Sequence, residues 1–230
     1  MKVESFDLKR FCSVNEVILR TKLAEKNYNC TQCRRRPRMI EIRMHGRGGQ
    51  GGVIAAKILA SAIFKEGRFA QSFPSFGVER RGAPVLAFTR IDDKLVRLRT
   101  AIYEPDHIIV LDATLIKSTN VFSGLKSGGT ILINTSAKIG LFDFPEEYHA
   151  AAVDASGIAV KHNLGTKSIP IVNTSILGAF AKFTGVVGID AVVEAIREEV
   201  PIMQEENAAA AMEAYESVET QVVQKVSANS

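Results

Sequence analysis

Cysteine is confined to the leading end of this 230-residue chain: Cys12, Cys30 and Cys33 are the full set, and from Met39 onward there is none. The main body therefore lacks disulfides, thiolate ligands for an iron–sulfur cluster or structural zinc, and any catalytic cysteine. No apolar run approaches the ~20 residues that a membrane-spanning helix requires. The first residues lack the apolar stretch of a secretory signal, so the chain reads as cytoplasmic, with no membrane partner. Histidine is also sparse. His45, His107, His149 and His162 fall at spacings that spell neither a triad nor a metal site. His45 stands just before a glycine-rich loop, and reads more readily as structural than as a ligand contact.

Positive charge is scarce outside the leading segment. Residues 1–38 hold ten Lys/Arg against four Asp/Glu, whereas residues 39–230 hold nineteen against twenty-one. The overall +4 thus belongs to the leading segment, and basicity gives no support for a nucleic-acid partner of the body. Within the body, residues 39–100 carry eleven basic and five acidic side chains, and residues 101–230 carry eight and sixteen. The positive part is the part with the glycine loop, which agrees with an anionic ligand there.

Residues 1–38 read as a basic, weakly ordered N-terminal extension, or as translated sequence ahead of a start at Met39, where the strand pattern begins. Val14 to Ala24 suits a short helix. Cys30-Thr31-Gln32-Cys33 offers two ligands and Cys12 a third, short of the four of a tetrahedral zinc site, so no metal is expected. A basic tail touching RNA or an acidic partner is the alternative reading of this segment. Residues 39–230, in a chain that is 46% hydrophobic, suit one globular domain.

What is abundant is glycine at one place. Gly46-Arg47-Gly48-Gly49-Gln50-Gly51 follows the apolar strand Ile40–Met44 and precedes the apolar helix Val53–Glu66. Such a turn opens backbone N–H groups at a helix N-terminus, a favourable place for phosphate. In that helix only Lys57, Ser61 and Lys65 interrupt the apolar surface, a narrow polar stripe on an otherwise covered element. Gly67 ends it. Further strands are expected at Phe69–Phe73, Pro84–Ile91, His107–Leu111, Thr130–Asn134 and Ala150–Asp154. Asp92-Asp93-Lys94 reads as a hairpin turn into Leu95–Arg99. Helices are expected at Ala155–His162, Asn173–Thr184, Asp190–Val200 and Glu205–Val226, the last with Met212, Tyr215, Val218, Val222 and Val226 on its packing face. The pattern predicts an α/β, Rossmann-like, mainly parallel sheet with helices on both faces and an inserted β-hairpin at residues 84–99. Ligands then bind beyond the carboxyl ends of the strands, where the glycine loop, the 75–83 loop, Asp112 and Asn134 all fall.

Gly46, Gly48 and Gly51 spell G-x-G-x-x-G, the dinucleotide fingerprint. Its partner, an acid at the end of the second strand that holds the ribose, is missing from Gln71-Ser72-Phe73, so a nicotinamide or flavin enzyme is disfavoured. Four glycines in six residues are also more than a tight turn requires.

The blocks GRGGQG, PSFGVERRGAPVLAFTRIDDK, IYEPDHIIVLD and IVNTSILGAFAKFTG, in this order, resemble the gamma subunits of the 2-oxoacid:ferredoxin oxidoreductases. Among these, the chain looks most like the gamma subunit of pyruvate:ferredoxin oxidoreductase, or pyruvate synthase. The resemblance runs from about Met39 to about Tyr215. It implies a Rossmann-like subunit of a complex that converts a 2-oxoacid, coenzyme A and oxidised ferredoxin to acyl-CoA, CO2 and reduced ferredoxin. It further implies alpha and beta subunits that build a thiamine diphosphate–Mg site, a delta subunit with [4Fe-4S] clusters, and ferredoxin as electron acceptor. The gamma chain itself would help to bind coenzyme A and to cover the active site, with no catalytic residue of its own.

On that reading Gly46, Gly48, Gly49 and Gly51 shape the turn and meet phosphate oxygens, while Arg47 and Gln50 contact the same ligand or the alpha subunit. Arg80 and Arg81 bind phosphate, or pair with Glu79 or a partner subunit. Asn173 is a further candidate contact, against its more ordinary role as a helix N-cap. Asp112 ends a strand near the cleft, with capping of the next helix as its alternative. The 2-oxoglutarate and indolepyruvate branches usually carry another residue where Arg47 stands. The 2-ketoisovalerate branch looks similar, and a stand-alone nucleotide-binding protein of the same fold is the alternative from another class.

Overall fold

In a computed structural model of the chain, residues 39–75, 82–142 and 144–220 are described. The three cysteines, the helix expected at 14–24, Arg80, Arg81, Val222 and Val226 lie outside the described residues.

Strand β1 (Ile40–Arg47) alternates: Ile42 and Met44 are buried on one face, Arg43 and His45 on the other. Helix α1 (Gly52–Lys65) follows the loop, burying Ala55, Ala56, Ile58, Leu59, Ala62 and Ile63. Gly67, at φ 79°, turns the chain in the left-handed region open to glycine. Then come β2 (Phe69–Pro74), β3 (Pro84–Asp92), β4 (His107–Val110), the one-turn helix α2 (Leu115–Ser118), β5 (Thr130–Asn134), β6 (His149–Val153) and α3 (Ala155–Lys161). A small ribbon, β7 (Gly165–Thr166) with β8 (Ile169–Pro170), precedes α4 (Ser175–Thr184), α5 (Ile189–Glu199), α6 (Gln204–Ser217) and β9 (Glu219–Thr220).

The seven-stranded sheet has the order β2-β3-β1-β4-β5-β6-β9. β1, β4, β5 and β6 are parallel neighbours, β3 runs antiparallel between β1 and β2, and β9 is antiparallel at the β6 edge. The expected mainly parallel α/β sheet is therefore present. The chain leaves β1 through α1 towards one edge and leaves β4 towards the other, so the topological switch point lies between the carboxyl ends of β1 and β4.

Two expectations are corrected. The inserted antiparallel element is β3 paired with β2, from Phe69↔Asp92 to Pro74↔Ala87, and Leu95–Arg99 forms no strand. That segment is instead held by the buried Arg90, whose guanidinium donates to the carbonyl oxygens of Leu98 (3.3 Å), Thr100 (2.7 Å) and Ala101 (3.4 Å) while its Nε pairs with Glu41 at 2.9 Å. The last helix stops at Ser217 and hands over to β9. Its buried stripe is Asn207, Ala208, Ala210, Ala211 and Ala214, with Met212 41% exposed. Small residues are required there because Gly178 of α4 crosses so closely that a Cβ on it would collide with the Ala211 carbonyl.

One face of the sheet carries the larger core, joining Ile42, Met44, Ile109, Leu111, Leu132 and Ala151 to the side chains of α1 and α3 to α6. The other face is closed by the segments around α2 and residues 139–144, through Leu115, Val121, Leu125, Ile139 and Phe144. The polar stripe of α1 meets α5: Lys57 pairs with Glu199 (2.6 Å), and Lys65 with Glu194 (3.0 Å) and Glu198 (2.6 Å). No helix among the described residues is long and apolar enough to cross a membrane.

Candidate functional site

The glycine loop caps the switch point. Gly51, at φ 78°, is the N-cap of α1, with no side-chain cap and no acid in the first turn. The backbone N–H groups of Gly51, Gly52 and Val53 have no acceptor among the described residues. A 14-residue helix thus presents an open positive end. Three N–H groups earlier in the loop are used within the chain. That of Arg47 donates to Gln50 Oε1 (2.7 Å), that of Gly48 to the Ala83 carbonyl (2.9 Å) and that of Gln50 to the Arg47 carbonyl (3.0 Å). Of the four glycines expected to form a cradle, Gly48 thereby uses its N–H, while those of Gly49 and Gly51 have no acceptor among the described residues. Gly46 has a packing role: a Cβ there would lie 2.9 Å from Leu111 Cδ1. Gly49, at φ 99°, supplies the left-handed turn.

Arg47 is committed to its own chain. Its Nε donates to Asp112 Oδ2 (2.8 Å), Nη1 to the Gly82 carbonyl (3.1 Å) and Nη2 to Thr114 Oγ1 (2.8 Å). Gln50 Nε2 reaches the same Asp112 oxygen at 3.4 Å. The other oxygen, Oδ1, accepts from the Thr114 N–H (2.9 Å) and Oγ1–H (2.6 Å), so Asp112 both caps the turn into α2 and anchors the loop. Burial alone would raise the Asp112 carboxyl, but the hydrogen bonds from Thr114 and Arg47 outweigh it and hold the group below its ordinary value. Arg47 and Gln50 are therefore placed to shape the loop, with the remaining exposed edge of Arg47 facing outward.

Asn173 reaches the loop from α4. It is 5% exposed, and its Oδ1 is buried without a hydrogen-bond partner among the described residues. A Cβ at Gly51 would lie 2.9 Å from its Nδ2, so the amide sits directly against the helix end. The ordinary N-cap role expected for Asn173 is not what the structure assigns: α4 has no side-chain cap. Its neighbour Thr174 instead donates to Asn207 Oδ1 at 2.8 Å. Asn134 is a brace, donating to the Leu111 carbonyl (2.9 Å) and Ser156 Oγ (2.9 Å) and accepting from the Ser156 N–H (3.1 Å). Between these groups a cleft of about 340 Å³ runs past Gln50, Asp112, Asn134 and Ser156 at the carboxyl ends of β4 to β6. The glycine loop, Asp112, Asn134 and Asn173 thus gather at one end of the sheet, and Arg80 and Arg81 lie outside the described residues.

A second cavity, of about 600 Å³, opens on the opposite face of β1 beside Arg43 and His45. Arg43 escaped the sequence reading because nothing in its spacing separates a buried arginine from an exposed one. His107 and His162 are structural: His107 Nδ1 is 2.8 Å from Thr130 Oγ1, and His162 Nε2 is 2.8 Å from Glu213.

Residues 41–217 match the family model for pyruvate ferredoxin/flavodoxin oxidoreductase. The chain is 54% identical, over 178 residues, to the pyruvate synthase subunit PorC of Methanocaldococcus jannaschii, covering 77% of this chain and 96% of that protein. It is also 54% identical, over 181 residues, to the pyruvate/ketoisovalerate oxidoreductases common subunit gamma of Thermococcus kodakarensis, with the same 77% and 96% coverage. Among solved structures, the pyruvate oxidoreductase subunit PORC of Thermotoga maritima superposes with a TM-score of 0.69 at 33% identity, covering 80% of this chain and 99% of that one.

Proposed function

The chain belongs to the pyruvate ferredoxin/flavodoxin oxidoreductase family, and we propose that it works as the gamma subunit of a pyruvate synthase, holding the phosphates of coenzyme A on the amino end of α1. It is a non-catalytic part of an oxidoreductase, with redox chemistry supplied by partner subunits. From Met39 onward it has no cysteine to hold an iron–sulfur cluster. On this reading those partners are alpha and beta subunits with thiamine diphosphate and Mg, and a delta subunit with [4Fe-4S] clusters, in a cytoplasmic complex that reduces ferredoxin.

The observation that carries the coenzyme A reading is the pairing of two unsatisfied features. The open N–H groups at Gly51–Val53 lie at a helix end whose Gly51 is packed against a buried amide, Asn173, that has no hydrogen-bond partner among the described residues. An uncapped helix end binds an anion. The amide nitrogen Nδ2 is the atom that sits against Gly51, and it is the donor that would meet the same phosphate. Arg47 and Asp112 hold the loop in the shape this requires.

A wider substrate range has its own support. A relative as similar as the pyruvate synthase chain is named a common subunit of pyruvate and ketoisovalerate enzymes. The choice of 2-oxoacid then rests with the alpha and beta subunits, and this chain serves either.

The test is reconstitution of the complex with wild-type, Asn173→Ala or Gly51→Ala chains, following ferredoxin reduction with pyruvate or 2-ketoisovalerate. Each variant should raise the KM for coenzyme A about ten-fold or more, the value of a lost charge-assisted hydrogen bond, for both 2-oxoacids. An unchanged KM in both variants sinks the phosphate reading and leaves the loop as a subunit contact.

A further inference from the structure

The cavity on the far face of β1 is built around a buried cation with every donor occupied. Arg43 Nε donates to His45 Nε2 at 3.0 Å. Its Nη1 donates to the Ile102 and Tyr103 carbonyls, each at 3.4 Å, and its Nη2 to those of Val121 (3.0 Å) and Ser123 (2.6 Å). A guanidinium has five N–H groups, and all are accounted for. No carboxylate pairs with it among the described residues, so its positive charge is felt in the cavity although it offers no free donor there.

The same contact sets the state of His45. Burial, with the Arg43 charge in second place, lowers its pKa to about 3, so the imidazole is neutral. Because Nε2 accepts from Arg43, the ring proton is on Nδ1. That Nδ1–H has no acceptor among the described residues, and His45 lines the cavity. The other walls include Leu86, Phe88, Ile102 and Leu115, and no Asp, Glu or Lys contributes to the lining among the described residues. Among the described residues a phosphate would find no free charged donor here. A neutral chain with a carbonyl oxygen would find apolar walls, one fixed N–H, and a polarised Arg43–His45 chain behind it. Gly46 lines the cavity and also begins the glycine loop, so the cavity and the loop adjoin.

We propose that this cavity receives the amide-bearing pantetheine arm of coenzyme A, with His45 Nδ1–H donating to one of its carbonyl oxygens. The proposal rests on the reading that the glycine loop holds the phosphates, and it assigns the neutral half of the same ligand to a different set of residues. His45 is then a binding residue, and Arg43 a positioning residue that holds its tautomer.

The experiment is isothermal titration of the reconstituted complex with coenzyme A and with its two halves, pantetheine and adenosine 3′,5′-bisphosphate. His45→Phe removes the donor, Leu86→Trp fills the cavity from β3, and His45→Gln keeps both an acceptor for Arg43 and a donor for the ligand. His45→Phe and Leu86→Trp should weaken coenzyme A and pantetheine about ten-fold or more and leave the bisphosphate within two-fold of wild type, while His45→Gln stays close to wild type. Gly51→Ala should do the reverse, weakening coenzyme A and the bisphosphate and sparing pantetheine. If His45→Phe and Leu86→Trp leave coenzyme A affinity within two-fold, or weaken the bisphosphate as much as coenzyme A, the proposal is overturned. A Gly51→Ala complex with unchanged affinity for coenzyme A and bisphosphate overturns the phosphate reading instead, so the two failures are separable.

Discussion

Arg47 and Asp112 meet at 2.8 Å across the carboxyl ends of β1 and β4, the neighbouring parallel strands from which the chain departs in opposite directions. In open α/β sheets this is the crevice that ligands enter. Here an ion pair inside the chain forms its floor. The side chains are 30% and 18% exposed, so the pair is partly screened, and its weight lies in fixing the loop rather than in stability.

The pair should therefore behave asymmetrically. A double-mutant cycle of Arg47→Ala and Asp112→Ala, read by chemical denaturation, should return a coupling of about 1 kcal/mol or less. In the complex, each single variant should raise the KM for coenzyme A several-fold with little change in kcat. A coupling of several kcal/mol with an unchanged KM would make the pair structural alone.

Asn173 and Thr174 are adjacent and nearly equally buried, yet should separate cleanly. Asn173→Ala removes an amide oxygen that has no partner, so stability should change by less than about 1 kcal/mol. Thr174→Val deprives Asn207 of its donor and should cost about 1–3 kcal/mol. Thermal unfolding of the two variants side by side checks the order.

Gly178→Ala tests the α4–α6 crossing. In an exposed helix the change stabilises by about 1 kcal/mol. Here the new methyl meets the Ala211 carbonyl, and overpacking should destabilise by about 1–3 kcal/mol. A rise in Tm would mean the helices are further apart than described.

Stability should fall on acidification below neutrality. Burial lowers His45 to about 3 and His107 to about 4. The unfolded chain takes up these protons near pH 6.5. Between that value and the folded pKa values the unfolded state binds more protons, so unfolding becomes easier as pH drops. Each group should remove about 2 kcal/mol between pH 7 and pH 5. Denaturant titrations at the two pH values measure the sum, and His45→Gln should abolish its share.

Much of the architecture was legible in the sequence because its signals are local. The strand at Ile40–Met44, the glycine stop at Gly67 and the polar stripe of Lys57 and Lys65 each follow from periodicity, and the structure supplies their partners in Ile109, Leu111 and the glutamates of α5. The errors were at places where a distant group replaces a local pattern. Leu95–Arg99 alternates like a strand, but Arg90 takes the carbonyl of Leu98 and those of Thr100 and Ala101 just beyond it. Glu205–Val226 reads as one helix, but β6 offers its edge to Glu219 and Thr220. Of its expected packing face Tyr215 and Val218 pack against the core while Met212 is exposed; the alanines, whose hydrophobic signal is weak, become the buried stripe through the approach of Gly178.

The candidate site divides along the same line. The sequence alone determined that a glycine-dense turn joins a buried strand to a buried helix, that the ribose-binding acid of a dinucleotide enzyme is absent, and that no thiolate follows Met39. Those are properties of residues and their immediate neighbours. Only the tertiary structure decided which loop N–H groups remain open, that Arg47 belongs to Asp112, that Asn173 faces Gly51 without a partner among the described residues, and that burial keeps His45 neutral beside a cavity, its Nε2 taken by Arg43. Apart from Arg43 and His45, which are two residues apart on one strand, these contacts join groups tens of residues apart at about 3 Å, where hydrogen bonding and desolvation act and sequence spacing carries no information.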